Sequence, residues 1–249
     1  MSIKKTLLLW SCLFFCSANL MSQNIASKVS GMTSNQGFYT FHWDEDNGKV
    51  WLEIRDNQLN QEFLYVNSLA TGVGSNDIGL DRGQLGNQRI VKFSKMGNKI
   101  MLVQPNYTYR AISDNVDEKL SVKEAFSESI LDGFSIDTKE TGKYLVDATA
   151  FLMQDEHGVA SRLRQGKQGS YSVDHSRSAM YLPRTKSFPK NTEFEATLTF
   201  TGKAQDYEVR SVTPTSSAIT VRQHHSFVEL PDNNYKPRKF DPRSGGYPM

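Results

Sequence analysis

The chain has 249 residues, 38% of them hydrophobic and 22% charged, which is enough for an ordinary globular core and excludes wholesale disorder. Its 29 Lys and Arg stand against 27 Asp and Glu, and the resulting formal charge of +2 argues against a nucleic-acid binder. Both cysteines, Cys12 and Cys16, lie at the extreme N-terminus, so the rest of the chain has no disulfide, Cys-rich zinc site or cysteine nucleophile.

Lys4 and Lys5 precede the apolar run Leu7 to Phe15, and small or polar residues follow from Cys16 to Gln23. This is the layout of a secretory signal peptide, expected over residues 1–22 with cleavage after Ala18 or Ser22. Export to the periplasm, the cell surface or the medium is the implied localisation. Lipidation at Cys16 is the weaker reading, because Phe14 and Phe15 stand where small residues belong. No later apolar run approaches the roughly 18 residues of a membrane span.

Residues 23–36 read as a polar spacer, after which alternation becomes the dominant period. Phe38, Thr40 and His42 face one way and Tyr39, Phe41 and Trp43 the other. Asp44 to Lys49 then forms a turn containing Asn47-Gly48, and Val50 to Ile54 returns as the second arm of a hairpin. Phe63 to Val66 is another strand. A second hairpin is expected from Arg89–Phe93 and Ile100–Val103 around the turn Met96–Lys99, and Pro105 ends it. Ser121 and Glu124 make a capping box for a helix running to Leu131, with Val122, Ala125, Phe126 and Ile130 on its apolar face and Gly133 closing it. A shorter helix is expected from Glu156 to Gln165, and between the two helices Tyr144 to Thr149 reads as a strand. Glu193–Phe200 and Ile219–Leu230 alternate as strands. The expected fold is mainly β (α+β), with antiparallel strands and hairpins and one or two short helices packed on a sheet. It forms one β-rich module over residues 37–230. Residues 231–249, rich in Pro and Gly, read as a connector toward a further domain.

Motifs for chemistry are sparse. The Gly-rich run Thr71–Gly86 lacks the following helix and the Lys-Ser/Thr pair of a phosphate loop. Asp77 and Asp81 do not match the spacing of a calcium loop. A long ordered loop is the main reading, with Asp77, Asp81 and Arg82 as interdomain or ligand contacts. No two histidines stand at i and i+4 around a glutamate, as a helical zinc-peptidase site requires. His224 and His225 are adjacent on a strand, so their side chains point to opposite faces. His224 joins the contact candidates, and a zinc site could arise only by assembly of distant groups such as His42, His175 and His224. There is no Gly-x-Ser-x-Gly elbow. The carboxylates of Asp44, Glu45 and Asp46, and those of Asp155 and Glu156, sit in turns where solvated charge explains them. No catalytic residue and no metal ligand is assigned.

Five stretches carry a resemblance: Phe63–Leu69, Gly72–Gly86, Ser178–Lys186, Val221–Pro231 and Phe240–Gly245. Together they resemble the N-terminal region of large exported bacterial zinc-dependent metallopeptidases, over nearly everything from Gly37 to Tyr247. The resemblance implies a non-catalytic module whose partner is a downstream peptidase domain. Zinc would belong to that domain, on an HExxH helix that these 249 residues do not contain. The alternative is a free-standing exported β-rich protein that binds a glycan or a protein. Two structural expectations follow. Val122, Ala125, Phe126, Ile130, Trp51, Phe194, Leu198 and Val221 should be buried, and an apolar or Gly-rich docking patch should lie at Gly72–Gly86 and the segment after Pro231.

Overall fold

The computed structural model describes residues 24–232 together with Asn234, Lys236 and Arg243. The expected signal peptide, with Cys12 and Cys16, and most of the expected connector lie outside the described residues.

A one-turn helix, α1 (Ile25–Lys28), and a short strand, β1 (Thr33–Asn35), lead into the first hairpin, β2 (Thr40–Asp44) and β3 (Lys49–Arg55). Asp44 pairs with Lys49 across its turn, and Gly48 takes the positive φ of 63° that a β-carbon would resist. The strand β4 (Glu62–Thr71) follows. The second expected hairpin is β5 (Leu85–Met96) with β6 (Lys99–Gln104), which ends at the residue before Pro105. Next come α2 (Val116–Ala125), β7 (Ser129–Glu140), β8 (Lys143–Asp147), α3 (Thr149–Leu152) and α4 (Val159–Gln165). The chain continues through β9 (Gly169–Val173), β10 (Ala179–Met180), β11 (Lys186–Phe188), β12 (Asn191–Ala204), α5 (Tyr207–Val212) and β13 (Ala218–Glu229).

All these strands join one antiparallel sheet in the order β1-β2-β3-β8-β7-β6-β5-β4-β13-β12-β10, with β9 and β11 also on β12. The fold is therefore mainly β. The two ends of the sheet meet. The Phe38 N–H donates to the Phe188 carbonyl at 2.7 Å, and the Ser187 hydroxyl donates to the Tyr39 carbonyl at 2.7 Å, so the sheet is nearly closed. Gly37 permits that approach, because a Cβ there would overlap the Ser187 side chain and the Phe188 backbone.

Closure creates an interior, and aromatic side chains fill it. Phe41, Phe63, Tyr65, Phe93, Phe134, Phe194 and Phe227 enter from the strands and Tyr39 from the bend before β2, while Phe151 and Leu152 of α3 reach the same cluster. A second cluster lies on the other part of β12 and β13. There Leu198, Phe200, Ile219 and Val221 are covered by Val159 and Leu163 of α4, Val209 of α5, and Val73, Ile78 and Leu80 of the Gly-rich segment. A small third cluster seats Ile25 of α1 on Trp51 and Leu145. Trp51, Phe194, Leu198 and Val221 are buried, Trp51 on the opposite face of β3 from Val50, Leu52 and Ile54.

The expected Ser121–Leu131 helix is corrected. The helix starts earlier, because the Asn115 side chain accepts from the Asp117 N–H at 2.9 Å and caps it, and it ends at Ala125. Ile130 and Gly133 belong to β7, where Phe134, Ile136 and Thr138 alternate inward. No residue of α2 is buried; Ala125, Phe126 and Ile130 are exposed and Val122 is half-buried. Four apolar residues at helical spacing thus misled, since two of them sit at or beyond the helix end. Phe126 stacks on Tyr109 with ring centroids 3.9 Å apart. Phe126→Ala is accordingly expected to cost only about 1 kcal/mol, the scale of one aromatic pair, as read by urea denaturation. The Glu156–Gln165 helix begins later than expected, at Val159, because Asp155 accepts from the Val159 and Ala160 N–H groups at 2.7 and 2.9 Å and caps it there.

Candidate functional site

The four contact candidates fall into two places. Asp77 and Arg82 are exposed and Asp81 half-buried on the segment between β4 and β5, and their side chains make no hydrogen bond or ion pair among the described residues. That segment is no exposed apolar patch, because its apolar side chains Val73, Ile78 and Leu80 are spent on the second cluster. His224 sits inside β13, opposite Glu195 of β12.

His224 lies between two carboxylates, its Nε2 2.7 Å from Glu193 and its Nδ1 3.3 Å from Glu195. Burial works against the imidazolium, but the two glutamates outweigh it and hold the pKa above the usual histidine value. Burial likewise pushes Glu193 up, and hydrogen bonds from His224, Ser226 and Asn191 bring it below the usual carboxylate value. Glu195 is buried, and its Oε2 accepts no hydrogen bond; Arg222 Nη1 stands 4.0 Å away while its guanidinium covers the Tyr181 ring at 4.1 Å. Because the carboxylates occupy opposite sides of the ring, this is an ion-pair chain rather than a chelate. Among the described residues no group of three or more His, Cys, Asp and Glu side chains is placed to hold a metal ion. His42 hydrogen-bonds Ser34 at 2.7 Å on β2, and His175 stands in the turn after β9.

His225 points inward, as adjacency on a strand requires, and is fully buried. Its Nδ1 lies 2.8 Å from the Tyr65 hydroxyl, and its Nε2 lies 3.2 Å from the Leu152 carbonyl and 3.0 Å from the Gln223 amide. Burial pushes its pKa down to about 3, so it is neutral near pH 7. The neighbouring inward residue Gln223 donates to the Gln154 carbonyl and accepts from the His157 N–H, both at 2.8 Å. Asn67 meets the His157 ring at 3.0 Å. This network staples the 154–157 turn onto β4 and β13 and gives the turn carboxylates structural work. Asp155 caps α4, and Glu156 pairs with Arg89 at 3.0 Å. Solvated charge was the wrong reading for that pair.

Two surface features remain. One is a cleft of about 910 Å³ where the β2–β3 turn, α3 and the 175–180 segment converge. Trp43, Ala150, Met153, Ala179 and Met180 supply its apolar lining, and Asn47, Asp147, Thr149, Gln154, His175 and Ser178 its polar lining. These residues are scattered over more than a hundred positions, so no local motif could have marked them. The other is the excursion between β6 and β7. It holds six of the twelve exposed large hydrophobic residues among those described, Tyr107, Tyr109, Ile112, Val116, Leu120 and Phe126, and Ile130 follows at the start of β7. Ile112 is 92% exposed and Val116 74%. The sequence expectation put an apolar or Gly-rich docking patch at Gly72–Gly86 and the segment after Pro231. Leu85 is the one exposed large hydrophobic residue in the first, most of the second lies outside the described residues, and half of the exposed large hydrophobic residues among those described are here.

Residues 83–247 match the family model described as Domain of unknown function (DUF5117), and residues 23–72 match that described as Domain of unknown function (DUF5118). The two matches do not divide the sheet. Strand β4, in the second match, pairs with β5 and β13, both in the first, and all three supply the interior cluster. No curated protein and no solved structure matches the chain.

Proposed function

The chain belongs to the DUF5117 family, and on the resemblance carried by its own sequence stretches we propose that it is a non-catalytic module of an exported zinc-dependent metallopeptidase that docks on the peptidase domain. The observation that carries the docking role is the apolar excursion between β6 and β7. A helix with no buried residue and an i, i+4 pair of exposed apolar side chains, Val116 and Leu120, is built to lie in another surface's groove. The buried histidine, amides and carboxylates around it serve the fold, and zinc and its HExxH helix belong to the peptidase domain. The cleft beside Trp43 supports the second reading, an exported binding protein.

Hydrogen exchange on the chain with and without a downstream peptidase domain tests the docking. Protection of residues 105–131 should rise at least fivefold when that domain is present, with the rest of the sheet unchanged. Unaltered exchange there would overturn the docking role. The purified chain alone should hold well under one zinc per molecule and show no chelator-sensitive casein hydrolysis; equimolar zinc with such activity would overturn the non-catalytic role.

A further inference from the structure

We propose that the cleft between Trp43, Met153 and Met180 binds an uncharged, mainly apolar small molecule. This site is separate from the excursion between β6 and β7 and independent of any peptidase partner. A volume of about 910 Å³ lies within the roughly 300–1,000 Å³ range of pockets that enclose drug-sized ligands. An indole, two thioethers and two alanine methyls supply its apolar lining, and methionine adapts readily to an irregular apolar guest.

The polar lining decides the ligand's chemistry. A sugar needs free donors around an aromatic platform, yet the side-chain donors of Asn47, Thr149, Gln154 and Ser178 are already engaged within the fold. Asn47 Nδ2 donates to both Asp44 oxygens, Thr149 Oγ1 to Asp147, Gln154 Nε2 to Asp132 and Ser178 Oγ to the Asp174 carbonyl. The His175 ring and the buried Trp43 Nε1 make no hydrogen bond among the described residues, leaving one exposed polar handle, the imidazole, and one buried N–H. Charge is settled in the same way. Asp147 is matched by Lys49 at 2.9 Å and Asp174 by Arg177 at 3.2 Å, so neither sign of ligand charge gains an unspent partner. Desolvation of apolar surface is what the cleft offers.

Equilibrium titration of the purified chain with the neutral fluorophore N-phenyl-1-naphthylamine tests this. Saturable one-to-one binding is expected, at least tenfold tighter than for the anionic 1-anilinonaphthalene-8-sulfonate. Ala150→Trp and Ala179→Trp, both at exposed positions, should fill the cleft and weaken binding at least tenfold with the melting temperature unchanged. Ile112→Ser on the excursion should leave binding as it was. Binding that survives both tryptophan variants, or that I112S removes, would overturn the proposal. So would non-saturable binding, or binding that disappears as sedimentation shows two copies covering the cleft. None of these results depends on docking to a peptidase domain, so the two readings fail separately.

Discussion

Phe227→Ala is expected to lower the unfolding free energy by about 3–5 kcal/mol, measured by urea denaturation, several times the effect of Phe126→Ala. Phe227 sits at the centre of the interior cluster. Its ring centroid lies 5.3 Å from Phe63, 5.4 Å from Tyr65, 5.7 Å from Phe194 and 6.1 Å from Tyr39. These rings come from β4, β12 and the segment just before β2 of a nearly closed sheet, so the surroundings have little freedom to collapse into the space left behind. Phe227→Leu keeps most of the volume and should cost less than about 1.5 kcal/mol. A loss below about 1 kcal/mol for F227A would mean that the interior cluster is not the stabilising core.

The β architecture was legible because alternation and turn chemistry are local. Asn47-Gly48 and Gly97-Asn98 each sit between two runs of the right period, and both hairpins form there. The β12–β13 pair reads equally well: Phe194, Ala196, Leu198 and Phe200 alternate inward against Ile219, Val221, Gln223, His225 and Phe227. What failed was the excursion between β6 and β7. Val122, Ala125, Phe126 and Ile130 satisfy helical spacing, but the competing signal, Phe134-x-Ile136-x-Thr138, is diluted by Gly133 and charged neighbours, and pairing with β6 and β8 decides it. The Gly-rich segment was legible as a loop but not in its packing, since Val73, Ile78 and Leu80 show no period. Of the candidate site residues, only His224 had a signal that led to a cluster. The opposite-face argument placed it correctly against His225, but its partners Glu193 and Glu195 come from another strand and appear only with register. The cleft left no trace in sequence for the same reason.

Acid is expected to weaken the fold steeply, and His225 is the main cause. Burial holds its pKa at about 3 against 6.5 in the unfolded chain. Between those values only the unfolded chain takes up the proton, so stability falls as pH drops below 6.5, by up to about 1.4 kcal/mol per pH unit and roughly 2–3 kcal/mol by pH 4.5. His42 and His157 are also lowered by burial, despite Glu53 and Asp155 pulling the other way, and they add in the same direction. His224 opposes them. Its raised pKa contributes stability that is complete below 6.5 and is lost as pH rises through the folded value. Glu193, lowered, contributes above 4.5 and loses its share as pH falls through its own folded value. The stability profile should therefore peak between mild acidity and neutrality, with a steep acid limb and a shallow alkaline one. Urea midpoints from pH 4 to 9 would trace it. His224→Gln should flatten the alkaline limb and, by removing a hydrogen bond to Glu193, also shrink that residue's share of the acid limb, and His225→Gln should lower the plateau and flatten the acid limb. Should H225Q fail to fold, NMR titration of the native chain still decides the matter. The His225 ring should remain neutral down to the pH of acid unfolding, and a His225 signal titrating near 6.5 in the folded protein would overturn this account.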